Sequence, residues 1–236
     1  MILSVIRILF IIFFSAFMAT CELLITPFHR TGKLFHTLAR FYGKVVLAVS
    51  GITLRVEGRE RVDFSRSYIY VSNHASLFDI PSVLVGIPDQ IRIIYKKELE
   101  KIPIFGWGLK YGKTYIGIDR GKGPKAIQSL EEAVSRIRNG ASVILFGEGT
   151  RSADGNLQPF KRGPFNLAMR AGVPIVPVTI KGSFNILSKK SFLIRPGIIT
   201  LILDAPVPPP QTTGKESELA LSDTVRSIIL KNLSEG

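Results

Sequence analysis

The chain of 236 residues has a single cysteine, Cys21, and only three histidines. A lone cysteine excludes an intrachain disulfide framework and any zinc site built on thiolates. Acidic residues are also scarce: 18 Asp and Glu stand against 31 Lys and Arg, a formal net charge of +13. Beyond the N-terminus no apolar run approaches the roughly 20 residues of a membrane span, which excludes a multi-pass membrane protein. Internal repeats and low-complexity blocks are absent. There is no Gly-x-Ser-x-Gly, so the usual α/β serine hydrolase is disfavoured. The stretch from Gly106 to Gly112-Lys113-Thr114 resembles a nucleotide P-loop, but its glycine spacing is one residue too long.

What the chain does have is apolar residues, 46% of the total, alongside its basic charge. A disordered basic tail would be poor in them, and this chain can bury a sizeable core. Its length suits one compact domain with an appendage. The basic excess leaves three classes of partner: nucleic acid, an anionic membrane surface and acidic substrates.

The N-terminus narrows that choice. Residues 2–25 are apolar nearly all round, interrupted by Arg7 and Glu22. The clean stretch from Ile8 to Cys21 is shorter than a straight span requires, although Arg7 can snorkel and a tilted span stays open. Ala19-Thr20-Cys21 is a poor cleavage or lipoprotein site, and apolar residues resume after Glu22. Beyond Pro27 and the basic connection His29-Arg30-Thr31-Gly32-Lys33, Leu34, Leu38, Phe41, Val45 and Val49 recur at helical spacing. Lys33, His36, Arg40 and Lys44 fall on the other side. A helix with a basic polar face lies flat on anionic lipid, and the same stripe would also serve to pack on a globular domain. Residues 1–50 are therefore expected to form a membrane-associated two-helix hairpin, spanning or dipping into one leaflet. If it spans, its Arg30/Lys33 side should be cytoplasmic. Membrane lipids become the favoured partner, and nucleic acid is not expected.

From Ile52 the pattern changes to short apolar runs alternating with helical stretches, which reads as an α/β domain over residues 51–236 with a central sheet. Strands are expected at Ile52–Val56, Tyr68–Ser72, Ile91–Tyr95, Tyr115–Ile118, Ser142–Phe146, Ile175–Ile180 and Ile198–Leu203. Helices are expected near Pro81–Val85, Lys125–Arg138, Gly163–Ala171 and Leu219–Leu233.

Chemistry-bearing residues gather where strands end. His74 follows the second strand, with Asp79 five positions on. A carboxylate at that distance can return across the turn and hold one ring nitrogen, leaving the other as a base. The bland alternative is a helix-capping Asp79 ahead of Pro81. A metal is not expected, since His29 and His36 fall in the hairpin and supply no ligand cluster. After the fifth strand comes Gly147-Glu148-Gly149-Thr150-Arg151, whose glycines allow close approach to an anion and whose Arg151 can fork onto phosphate. A plain turn with a solvated Arg would look the same. Arg120 follows the fourth strand, and Lys96 and Lys97 end the third. Cations recurring at strand ends suit an anionic ligand.

Taken in order, Asn73-His74-x-x-x-x-Asp79, Gly117-Ile118-Asp119-Arg120, Glu148-Gly149-Thr150-Arg151-Ser152 and Val173-Pro174-Ile175-Val176-Pro177-Val178 form a series. The series resembles the glycerolipid acyltransferase family, and within it most closely the bacterial 1-acylglycerol-3-phosphate acyltransferases, over about residues 50–205. One departure is Gly147, where the family usually has Pro, which bears on the stiffness of the loop and leaves its charge unchanged. The resemblance implies a central mixed sheet flanked by helices and preceded by the hairpin. It implies transfer of a fatty acyl group from an acyl carrier protein or coenzyme A thioester to the sn-2 hydroxyl of lysophosphatidate, with no resident cofactor. His74 would be the general base and Asp79 its orienting carboxylate. Arg120 and Arg151, with Lys97 or Lys96 as helper, would bind the acceptor phosphate in a pocket shaped by Glu148, Gly149 and Thr150. Pro174 and Pro177 would shape the acyl-donor side and the strand entry, and plain turn prolines would look the same. The setting would be the bacterial inner membrane, with the catalytic domain on its cytoplasmic face. Two other readings remain at this level: a different lysophospholipid or hydroxyl-bearing acceptor, or a non-enzymatic protein that adheres to anionic lipid.

Overall fold

Strands buried at nearly every position need cover on both faces, and the middle of this chain is built that way. All four residues of β2 (Ile69–Ser72) are buried, as are six of the seven in β6 (Ile175–Lys181). The computed structural model describes residues 1–25, 32–112, 114–119, 121, 123–212 and 214–235. The remaining strands are β1 (Ile52–Glu57), β3 (Arg92–Lys96), β4 (Ile116–Ile118), β5 (Val143–Phe146) and β7 (Gly197–Leu203). They form one seven-stranded sheet in the order β1-β7-β6-β2-β5-β3-β4. Every neighbouring pair is parallel except β6 with β7, so the sheet is mixed, as expected.

Successive residues of a strand point to opposite faces, and the core divides accordingly. Tyr70, Ile144, Val176 and Val178 join a cluster with Ala39, Val46 and Leu47 of α2 (Lys33–Val49) and Val83 and Leu84 of α3 (Asp79–Gly86). Ile69, Val71, Val143, Leu145 and Ile175 face the other way. They pack on α5 (Pro124–Arg138), α6 (Gly163–Ala171) and α8 (Lys215–Ser234). Burying each such side chain contributes about 1.5–3 kcal/mol before ordering costs. On the second face Glu218 of α8 accepts from Arg162 Nε at 2.9 Å, Arg162 Nη2 at 2.6 Å and Asn166 Nδ2 at 2.7 Å. That fork ties α8 to the start of α6.

Strand positions agree with the sequence expectation to within two residues. One helix was not anticipated: α4 (Phe105–Gly112), which holds three glycines in eight positions and so lacks helical propensity of its own. A short α7 (Ser183–Ile186) was also missed.

The N-terminal hairpin consists of α1 (Ile2–Ile25) and α2. α1 runs unbroken past Arg7 and Glu22 for 24 residues, about 36 Å at the usual helical rise. The interruptions that shortened the apolar stretch on paper therefore do not shorten the helix. It is long and apolar enough to cross a membrane, and only 17% of its apolar stretch is buried, whereas the core helix of a soluble protein is mostly buried. The inner side of α1 meets α2 through a Phe14–Tyr42 ring stack at 5.7 Å and a 2.9 Å hydrogen bond between the Ser15 and Tyr42 hydroxyls. α2 packs on α3, where Gly43 lies against Pro81 and Val85. Part of its apolar stripe thus serves the protein's own core. The basic connection at residues 29–31 lies outside the described residues.

Candidate active site

Because β2, β5, β3 and β4 run parallel as neighbours, their carboxyl ends lie side by side along one edge of the sheet. Ligands of open α/β sheets bind outside that edge. His74, the Glu148–Arg151 turn and Lys96–Lys97 all leave the sheet there, on strands about 4.8 Å apart.

His74 sits two residues past β2. Its Nδ1 lies 2.8 Å from Oδ2 of Asp79, the first residue of α3. The same oxygen accepts the backbone N–H groups of Ala75 and Ser76, each at 2.8 Å. Asp79 is fully buried. A buried carboxylate needs donors of this kind, and two come from the turn that its own helix begins. Asp79 therefore both organises the helix start and holds the imidazole. It does not cap its own helix: the N-cap position is Phe78, without a side-chain cap bond, and the backbone donors to Asp79 precede the helix. The His74 ring is stacked on Phe146 of β5, with centroids 3.9 Å apart and planes 15° apart. Its Nε2 makes no hydrogen bond with any described residue. Ring stacking on one side and Asp79 at one end leave that nitrogen facing outward.

The turn carrying His74 is clamped on both sides. Asn73 donates through Nδ2 to Ile180 O at 2.9 Å and accepts from Ile180 N at 2.8 Å, copying a strand pairing with β6. Ser152 N donates to His74 O at 2.7 Å, and Ser76 Oγ to Leu187 O at 2.8 Å.

Glu148 acts from inside the turn. It is buried, and its Oε1 accepts His74 N at 2.7 Å while Oε2 accepts Gln158 N at 3.1 Å. Burial pushes its carboxyl above the usual range, against the opposing pull of these two donors. A carboxyl turned inward repels phosphate rather than binding it. Glu148 instead joins the two strand-end loops by bracing the backbone of His74. Gly147, the departure from the family pattern, also has a local cause. Its N–H donates to Ser72 O at 2.8 Å and its carbonyl accepts Lys161 N at 2.7 Å. A Cβ there would come within 2.8 Å of the Phe160 ring. Hydrogen bonds at both backbone groups thus supply the stiffness that proline would give, and proline would remove the first of them.

Gly149 N donates to Phe146 O at 3.0 Å, and Thr150 and Arg151 follow at the surface. The Arg151 guanidinium makes no hydrogen bond or ion pair with a described residue. Lys189, a residue that sequence reasoning passed over, reaches this turn, donating to Arg151 O at 3.0 Å and to Thr150 Oγ1 at 3.3 Å. The Lys189-Lys190 pair was the available signal, but only the fold brings it to the turn. Lys96 is ion-paired with Glu98 at 3.2 Å. Lys97 lines a polar cleft of about 640 Å³ together with Lys101, Lys110, Asp119 and Lys125. Arg120 lies outside the described residues; its neighbour Asp119 lines the cleft wall.

The two prolines do not reach this edge. Pro174 precedes β6 at the opposite, amino end of the sheet, where its carbonyl accepts Ile69 N at 3.1 Å. Pro177 is buried within β6 opposite Val71, and its carbonyl accepts Asp204 N at 3.0 Å. Both shape the sheet, Pro174 at the entry to β6 and Pro177 within it. A separate apolar cavity of about 160 Å³ opens between the hairpin and the domain, lined by Met18 and Ala19 of α1, Ile80 and Leu84 of α3, and Phe105 and Leu109 of α4. Ile80 directly follows Asp79, so this cavity begins where the polar corner ends.

Comparison with known proteins agrees with this architecture. Residues 53–181 match the family model described as Acyltransferase. The chain is 38% identical over 173 residues to a 1-acyl-sn-glycerol-3-phosphate acyltransferase of Limnanthes douglasii, covering 73% of this chain and 59% of that one. A protein of the same name from Cocos nucifera is 36% identical over 167 residues, covering 70% of this chain and 53% of that one. The chain spans little more than half the length of these relatives. The crystal structure of the 1-acyl-sn-glycerophosphate acyltransferase PlsC from Thermotoga maritima matches with a TM-score of 0.81 at 28% identity, over 99% of this chain and 94% of that one.

Proposed function

The chain belongs to the acyltransferase family, and from that premise we propose that it acylates the sn-2 hydroxyl of 1-acylglycerol-3-phosphate at a membrane surface, giving phosphatidate. The observation that carries this reading is the His74–Asp79 pair: a 2.8 Å bond to a fully buried carboxylate, with the other ring nitrogen left open. Lipid adhesion alone would need neither residue.

The chemistry follows from that geometry. A neutral hydroxyl is a poor nucleophile, so His74 Nε2 takes its proton as the oxygen attacks the thioester carbon. Asp79 accepts Nδ1–H, which fixes the tautomer and stabilises the imidazolium formed. A positioned base of this kind contributes about 10²–10⁴-fold. When the tetrahedral intermediate collapses, the C–S bond breaks and the departing thiolate takes the proton from His74. No covalent acyl-enzyme is required. Arg151, from the strand next to His74, and Lys97, two strands away, grip the acceptor phosphate with Arg120. Holding the phosphate fixes the distance of the hydroxyl from His74 and converts binding into orientation. The apolar cavity behind Asp79 takes a fatty chain, and α1 keeps the enzyme on the membrane that holds the acceptor.

An assay of the purified chain tests this, with lysophosphatidate and a panel of other lysolipids as acceptors and acyl carrier protein and coenzyme A thioesters as donors, side by side. We expect lysophosphatidate to be the strongest acceptor and phosphatidate the product. Strong activity on a phosphate-free acceptor, with none on lysophosphatidate, would reassign the cationic edge.

A further inference from the structure

The segment Ile102-Pro103-Ile104-Phe105-Gly106-Trp107-Gly108-Leu109-Lys110-Tyr111 is rich in large apolar residues, yet most of them stay out of the core. The cause is visible in α4. Its inward side is reduced to glycine and one leucine: a Cβ on Gly106 would come within 2.4 Å of Leu99 O, and one on Gly112 within 2.8 Å of the Phe35 ring. Gly108 faces Ala19 of α1. The helix is thereby pressed flat against its neighbours; Trp107 and Tyr111 are left exposed, and Phe105 is exposed in part while also bordering the apolar cavity. Phe105 is 45% exposed, Trp107 48% and Tyr111 53%. Ile102 and Ile104 in the preceding turn are also exposed.

That turn is strained. Ile104 has φ 63, and Phe105 N donates to Pro103 O at 2.7 Å, a γ-turn of the rare left-handed kind at a β-branched residue. Such strain persists only where the surroundings enforce it, and it gathers at functional surfaces. Single exposed apolar residues are ordinary, but five large ones in ten positions, beside a helix that is itself apolar and uncovered, form a patch with a partner.

We propose that α4 and its preceding turn are a second membrane contact, seated in the headgroup region of an anionic bilayer beside α1. Three observations identify a lipid surface as the occupant. α4 packs along α1, the helix long and apolar enough to enter a membrane, so its exposed aromatics adjoin that helix. Trp and Tyr are the side chains enriched at the membrane–water boundary, having an apolar body and a polar tip. Lys101 and Lys110 flank them, exposed, with the Lys110 ammonium 5.3 Å from the Tyr111 ring centre, at the level where anionic headgroups lie. Lys101 and Lys110 also line the polar cleft that contains Lys97. Seating α4 in the headgroup layer would open that cleft at the depth of the phosphate of a membrane-resident acceptor. The inference rests on the membrane-surface reading above and adds to it where the domain meets the bilayer.

Trp107 is the chain's only tryptophan, so its emission reports on α4 alone. The full chain is reconstituted into phosphatidylcholine–phosphatidylglycerol vesicles, with and without lipids brominated in the acyl chain, and flotation and emission are both recorded. We expect co-flotation, a blue shift and quenching by the brominated tails. Tyr111→Glu should weaken partition from solution about tenfold while leaving the fold intact. Co-flotation with unshifted, unquenched Trp107 would overturn the second contact and leave attachment by α1 standing. Failure to float would overturn membrane attachment and the second contact with it. A Trp107 shift produced by acidic acyl carrier protein and not by vesicles would also overturn the proposal, and would make α4 a protein-docking surface.

Discussion

The corner around His74 and the surface formed by α1 and α4 are built on opposite plans. At the corner nearly every polar group is satisfied from within. Asp79 Oδ2 receives three donors, the two Glu148 oxygens one each, and the Asn73 amide pairs with the backbone of β6. Along α1 and α4 large apolar groups such as Phe13, Phe17, Trp107 and Tyr111 stand uncovered. The contrast shows which part of the molecule must be rigid alone and which is completed by its surroundings. A proton transfer fails if its base drifts by an ångström, so the corner is cross-braced by long-range hydrogen bonds. A lipid contact needs only area and charge, so that surface is left soft and open.

If the two plans are separate, damage to one should spare the other. After removal of the base itself, the largest separable effect is expected from Asp79→Asn. The neutral amide lacks the charge that stabilises the imidazolium, and its NH2 must either replace the oxygen that accepts from His74, Ala75 and Ser76 or lie buried where Oδ1 now lies without a partner among the described residues. The turnover rate should fall about 10³–10⁴-fold with vesicle binding unchanged, as measured by acyl transfer and flotation on one preparation. Arg151→Ala comes next: losing a charge-assisted contact to phosphate should raise the acceptor KM about 10–100-fold and move the donor KM far less. The reverse pattern would place Arg151 on the donor side. Glu148→Gln turns an amide N–H toward a backbone N–H. It should destabilise the fold by about 1–3 kcal/mol, seen as a lowered Tm, with the rate falling because His74 loses its backbone brace.

The smallest effect tests the seam between the regions. His36 of α2 is buried beside Arg40 and Arg92, and burial first, then these two cations, lower its pKa from the ordinary 6.5 to about 4. In that window the unfolded chain binds a proton that the folded ring refuses, so stability should fall as pH drops from 6.5 towards 4. The loss should be roughly 1 kcal/mol once discounted for the water that still reaches the ring. Thermal unfolding at pH 7 and pH 5 should show this, and His36→Phe should flatten the difference.

The corner was more legible in the sequence than the surface was. His74 and Asp79 are five residues apart, so one turn brings them together and their spacing carries the chemistry. Fully apolar runs such as Ile69–Val71 and Ile175–Val176 marked the buried strands, because only a sheet covered on both faces buries them. What failed was what depends on distant partners. Glu148 was expected to shape a pocket, but that it braces His74 N was hidden because that group lies 74 residues away. Lys189 approaches Arg151 across 38 residues of intervening chain. Pro174 and Pro177 stood out in the sequence, but spacing does not reveal which end of a strand faces the site. The three glycines of α4 concealed a helix whose stability comes from close packing rather than propensity.

The most direct test of the two-plan account is His74→Ala, assayed for acyl transfer to lysophosphatidate and for vesicle flotation in the same reconstituted sample. The account predicts that transfer falls by about 10⁴-fold, at least as far as in Asp79→Asn, while flotation and Trp107 emission match the wild type. Normal turnover in that variant would remove His74 as the base and contradict the account at its centre.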